Sequence, residues 1–149
     1  MKIMITINNR EQELEIEPDE FLADTLRRYG YLSVKKGCDT GSCGICTVWM
    51  EEKPILSCAL LSAKAAGKRI ITIEGVQQEA REFAEHLVSE GADQCGFCNP
   101  GFVMTVLAMK NELENPTEEE IIHYLNGNLC RCTGYMGQLR AVKKYLGVA

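Results

Sequence analysis

Gly37-Cys38-Asp39-Thr40-Gly41-Ser42-Cys43-Gly44-Ile45-Cys46 is the stretch from which the fold can be read. It sets three cysteines and three glycines within ten residues, and Cys58 follows at C-x4-C-x2-C-x11-C. A second set, Cys95, Cys98, Cys130 and Cys132, has the different spacing C-x2-C-x31-C-x-C. Eight cysteines are too many for packing alone in 149 residues. Met1 to Ile7 is too short and too alternating for a signal peptide, so a reducing, cytoplasmic compartment is expected. There, cysteines bind metal or do redox work more often than they form structural disulfides.

Composition narrows the classes further. With 46% hydrophobic and 25% charged residues the chain is globular, not disordered. Sixteen basic against 21 acidic residues give a net charge of -5, which argues against a nucleic-acid or anionic-membrane binder. No stretch is long and apolar enough to span a bilayer. Four cysteines early and four late suggest two sites and two domains, 1–76 and 77–149. There is no internal repeat.

The first half reads as mostly strand. Ile3, Ile5 and Ile7 alternate with Met4 and Thr6, Asn8-Asn9 signals a turn, and Leu14 and Ile16 lie on a return strand. Asp19 is a candidate cap for a helix lined by Phe21, Leu22, Thr25, Leu26 and Tyr29, stopping at Gly30. Thr47 to Met50 and Ile70 to Ile73 read as further strands, with Trp49 in the sheet core. The second half reads as four helices. Gln78 to Ser89 turns Phe83, Leu87 and Val88 inward. Pro100 opens a helix to Leu113. Thr117 with Glu120 is a capping box before Ile121, Ile122 and Leu125, and Gln138 to Leu146 is the last helix.

Cys38, Cys43, Cys46 and Cys58 have the plant-type [2Fe–2S] spacing. Such a cluster carries a formal charge of roughly -2, so it needs curved backbone with N–H groups near sulfur, which Gly37, Gly41 and Gly44 permit. Lys35 and Lys36 precede the loop and can offset charge. Zinc sites favour paired C-x2-C units, a poor fit here. The second set is less diagnostic. Cys95-Gly96-Phe97-Cys98 alone could be a thioredoxin-like pair, which leaves Cys130 and Cys132 unexplained; a four-cysteine zinc site stays open. Two ligand runs at helix starts around one anionic cluster is the favoured reading, with Arg131 offsetting charge.

These motifs, with Thr72-Ile73-Glu74-Gly75, Ser57-Cys58, Gln94 to Gly101 and Gly127-Asn128-Leu129-Cys130-Arg131-Cys132-Thr133-Gly134-Tyr135, run in order nearly end to end. Together they resemble the small iron–sulfur subunit of the xanthine oxidase family of molybdenum hydroxylases. The resemblance implies an α+β chain: an N-terminal plant-ferredoxin-like β-grasp domain, then a C-terminal four-helix domain, each with one [2Fe–2S] cluster. It implies electron transfer as the function, with no substrate site in this chain. It also implies a large molybdopterin-binding partner subunit and a flavin partner holding FAD. Electrons would pass from molybdenum to the helical-domain cluster, the ferredoxin-like cluster and then flavin. Gln94 and Cys132 would lie against the pterin; without the resemblance, Gln94 reads as a polar residue closing its loop. Three departures stand out. Asn99 replaces threonine, and is expected to cap the helix. Glu51-Glu52-Lys53 replaces an Asp-Gly turn and lacks a residue that readily takes positive φ. Ser33 replaces glycine.

Other residues read as structural. His86 and His123 follow Glu82 and Glu119 by four positions, an ordinary helix-surface pairing. Phe97 reads as a plug over a cluster, and Tyr135 as packing beside its ligand run. No acyl-transfer triad or phosphate-binding loop is present. Two rival functions remain from the residues alone: a free-standing two-cluster carrier, and a zinc-binding interaction module.

Overall fold

The computed structural model describes residues 1–149. β1 (Lys2–Ile7) and β2 (Arg10–Glu15) form an antiparallel hairpin. Asn8 and Asn9 close it at φ 49° and 65°, the two left-handed residues that a tight right-twisted hairpin needs. Alternation sorts β1 as expected: Ile3, Ile5 and Ile7 are buried and Met4 is exposed. α1 (Leu22–Arg28) follows and buries Leu22, Ala23, Thr25 and Leu26. Its N-cap is Phe21 rather than Asp19, and no side chain caps it. Leu22 N–H bonds instead to Leu60 C=O at 2.8 Å, so a neighbouring segment satisfies one of the end donors.

β3 (Thr47–Met50) and β4 (Lys53–Leu56) make the second hairpin. Here the expected obstacle is overcome. Glu51 and Glu52 both take positive φ, 50° and 67°. Their partner is Arg69, whose backbone N–H donates to Glu51 Oε1 at 2.6 Å while its guanidinium approaches Glu52 at 3.4 Å. β5 (Arg69–Ile71) stops before Thr72 and is shorter than the sequence pattern suggested. It lies between β1, which it parallels, and β3, completing the order β2-β1-β5-β3-β4. One core of Ile3, Ile5, Ile7, Leu14, Leu22, Leu26 and Ile70 fills the space under α1.

The rest is helical: α2 (Gln77–Ser89), α3 (Asn99–Glu112), α4 (Glu118–Leu125) and α5 (Met136–Leu146). α3 is apolar on every face and buried from Gly101 to Met109, as a central helix must be. Phe83, Leu87, Ile121, Ala141 and Val142 pack round it. Val88, expected inside, is exposed, because α2 meets the bundle along a stripe one residue away, and Ile122 of α4 is exposed beside the buried Ile121. The Thr117–Glu120 capping box forms with both reciprocal bonds. Asn99 does not cap α3. The N-cap is Cys98, and Asn99 Nδ2 donates to Asp93 at 2.8 Å.

The halves are joined by more than the linker. Trp49 belongs to the helical core, not the sheet core, and its indole N–H donates to Met104 C=O at 2.9 Å. A side chain presented by the outer face of β3 thus enters the groove beside α3. At the linker, Glu74 accepts from Ser33 Oγ at 2.7 Å and from Thr72 Oγ1, while Asn8 Oδ1 accepts from Thr72 N–H at 2.9 Å.

Candidate metal centres

The loop after α1 carries Cys38, Cys43 and Cys46, and the 3-10 turn after β4 carries Cys58. The four thiols are close neighbours, Cys38 beside Cys43 and Cys58 beside Cys46 with Cys38 and Cys43 near it as well. Backbone N–H groups of Thr40, Ser42 and Cys43 point at the Cys38 sulfur and hold its thiol down at about 5. Burial pushes Cys43 up and raises Cys58 to about 12, and in each case the neighbouring cysteine adds to the rise. The loop therefore already stabilises negative charge on sulfur at one corner. At Cys43 and Cys58 protons must leave before metal binds.

The second set is assembled from two places. Cys95 and Cys98 precede α3, whereas Cys130 and Cys132 lie between α4 and α5. These thiols are close neighbours too, Cys95 beside Cys132 and Cys98 beside Cys130, with Cys95 near both Cys98 and Cys130. The Phe97 N–H lowers Cys95. Burial pushes Cys98 up to about 12. Cys130 feels the same burial, but hydrogen bonds from Thr133 and nearby backbone outweigh it and lower its pKa. Tyr135 holds the run in place: its hydroxyl accepts from Cys130 N–H at 3.2 Å. The buried Gln138 amide approaches Cys98 Sγ at 3.8 Å.

Each site brings four thiols close together, a set that can give two thiolates to each metal of a dinuclear cluster. The donor chemistry fits as well: all thiol, with backbone N–H groups turned toward sulfur. When bound, such clusters supply reversible one-electron oxidation and reduction.

The two sites share one wall. Cys38, Cys43, Cys95, Cys98, Cys130 and Cys132 line a single cleft, with Phe97 and Arg131 beside them. Leu129 N–H donates to Cys43 C=O at 2.8 Å, so one hydrogen bond links a ligand of the first set to the residue before a ligand of the second. This approach needs glycine. A Cβ on Gly101 would lie 2.4 Å from Gly44 C=O and 2.5 Å from Ile45 C=O. A Cβ on Gly44, itself at φ 71°, would lie 2.2 Å from Gly127 C=O.

Outside the thiols, Gln94 is exposed and its amide donates to Gly91 C=O at 2.7 Å, the loop-closing contact that the residues alone suggest. His86 is not paired with Glu82; its ring meets Tyr145 at 5.7 Å. His123 is an exposed residue of α4. Sequence reasoning missed the joint role of Gly101 and Gly44, since nothing in the spacing says which loops touch.

Comparison with known proteins agrees with this geometry. Residues 5–70 match the 2Fe-2S iron-sulfur cluster binding domain, and residues 72–143 match the [2Fe-2S] binding domain that follows it. The nicotinate dehydrogenase small FeS subunit of Eubacterium barkeri is 38% identical over 146 residues, covering 96% of this chain and 92% of that one. The xanthine dehydrogenase iron-sulfur-binding subunit of Escherichia coli O157:H7 is 44% identical over 140 residues, covering 89% and 86%. This chain belongs to the small iron–sulfur subunits of the molybdenum hydroxylases. A structure of quinoline 2-oxidoreductase from Pseudomonas putida 86 superposes at a TM-score of 0.90 with 36% identity, covering 98% of this chain and 93% of that one. The small iron–sulfur subunits are electron-transfer components of oxidoreductases, and this chain binds [2Fe–2S] clusters for that purpose. No helix is long and apolar enough to cross a membrane.

Proposed function

We propose that Cys38, Cys43, Cys46 and Cys58 hold the first cluster and that Cys95, Cys98, Cys130 and Cys132 hold the second, in domains bounded near 1–76 and 77–149. The chain then carries electrons one at a time from its helical end to its sheet end. The observation that carries this reading is the shared cleft: Cys38 and Cys43 of the first set and all four thiols of the second line it, and the Leu129–Cys43 bond brings their backbones into contact.

At the helical end we place a large molybdopterin-binding subunit, with Gln94 and Cys132 facing the pterin. Both residues are exposed there, so a partner can reach them. Beside them runs an open apolar groove lined by Ile122, Leu125, Leu129, Tyr135 and Met136, a surface that favours a fixed subunit over a free carrier. An FAD-binding partner at the sheet end and a cytoplasmic location complete the proposal. The test is iron and acid-labile sulfide per chain in anaerobically purified complex. About four of each supports two [2Fe–2S] clusters. Zinc without sulfide would overturn the reading.

A further inference from the structure

Lys35 stands three residues before the first cluster ligand, yet its ammonium lies over the ring of Phe97, 5.1 Å from the centroid. Phe97 sits between Cys95 and Cys98 in the second ligand loop and lines the cleft shared by both sites. The neighbouring Lys36 is committed to Asp24 at 3.3 Å. Lys35 by contrast forms neither an ion pair nor a side-chain hydrogen bond, and its only polar engagement is the aromatic face. Phe97 is itself 44% exposed, so the contact sits at the open rim of the cleft. Arg131, the other cation at this cleft, also has no carboxylate partner. Uncompensated cations beside a cleft built to hold two anionic clusters are what electrostatic balance requires.

Resting on the ligand assignment above, we propose that Lys35 is a positioning residue shared by the two cluster sites. Its cation–π contact clasps the second ligand loop to the first, and its charge acts on both clusters. Each cluster gains one negative charge on taking up an electron, with no atom transferred. A nearby cation therefore favours the reduced form of both. Phe97 is the arm that holds the cation there and shields the second site from water.

The test uses the purified complex with about four iron and four sulfide per chain and two reduced-cluster EPR signals, each titrated against potential. Without that metal content the ligand assignment itself fails, independently of Lys35. Lys35→Met keeps the stem and removes the charge. It should lower both midpoints, changing the reduced-to-oxidised ratio at fixed potential about threefold, or ~28 mV at 59 mV per tenfold. Lys35→Arg should restore them. Phe97→Leu should speed loss of the second signal to a chelator severalfold, and in that background Lys35→Met should move the second midpoint less than in the parent. Unmoved midpoints in Lys35→Met, movement of the first alone, or strictly additive effects in the double variant would overturn the proposal. If Lys35→Met fails to fold, Phe97→Leu decides by itself: an unchanged chelator rate and an unchanged second midpoint reject the clasp.

Discussion

The two thiol sites solve one chemical problem with different chain economies. The first draws its four cysteines from 21 consecutive residues, Cys38 to Cys58, around one glycine-rich loop and a hairpin. The second spans Cys95 to Cys132 and closes only when the segment before α3 meets the segment before α5. Exposure differs too. Cys43 and Cys46 are buried, whereas Cys95 and Cys132 are exposed. On the proposed reading, the second site, which receives the electron from the partner, is open where that partner docks, and the site behind it is more enclosed.

The strongest way to break this comparison is Gly101→Val. The added carbons would meet the carbonyls of Gly44 and Ile45 with no room to retreat. Overpacking of backbone on backbone should cost about 3 kcal/mol or more and separate the sites. The expected result is loss of the second cluster and a large fall in the thermal midpoint. A variant with wild-type iron content would show that the contact is dispensable.

Cys132→Ser tests independence. The second reduced-cluster EPR signal should be lost or strongly altered while the first persists, since no ligand is common to both sites. Two unchanged signals would refute the assignment of Cys132.

Trp49→Ala sharpens the link between halves. It removes a mostly buried ring and the bond to Met104, and should cost about 3 kcal/mol while sparing both thiol sets. Denaturant unfolding checks it; the transition should also lose cooperativity, because the sheet and the bundle no longer share that core residue.

The smallest effect concerns the linker. Burial pushes the Glu74 carboxyl up, but hydrogen bonds from Thr72 and Ser33 outweigh it and hold the pKa below its ordinary 4.5. A depressed carboxylate stabilises the fold fully above its unfolded value and stops doing so as pH falls through the folded value. The stability difference between wild type and Glu74→Gln should be constant from pH 7 to about 5.5, on the order of 1 kcal/mol, and should vanish below the folded pKa. Ser33→Gly should shrink it. A pH-independent difference would remove Glu74 from the account.

Much of this was legible in the residues, and the misses share a cause. Asn8-Asn9 names its own turn because asparagine tolerates positive φ. Glu51-Glu52 does not, because its conformation rests on Arg69, eighteen positions after Glu51. The periodicity of α2 is genuine, but Val88 falls on the wrong side because period alone does not say where the covering helix lies. From its strand, Trp49 reads as sheet core; the pattern does not show that α3 covers the other face of β3.

By itself the sequence determined which cysteines form two sets, the α+β division and the capping of α4. Each of these depends on residues near one another in the chain, where spacing is geometry. Only the tertiary structure decided that the two sets line one cleft, that Gly44 and Gly101 bring the halves into backbone contact, and that Lys35 reaches across to Phe97. Those facts depend on how two separately patterned units dock. Docking is fixed by the complementary shape of surfaces distant in the chain, which leaves no periodic mark in the sequence.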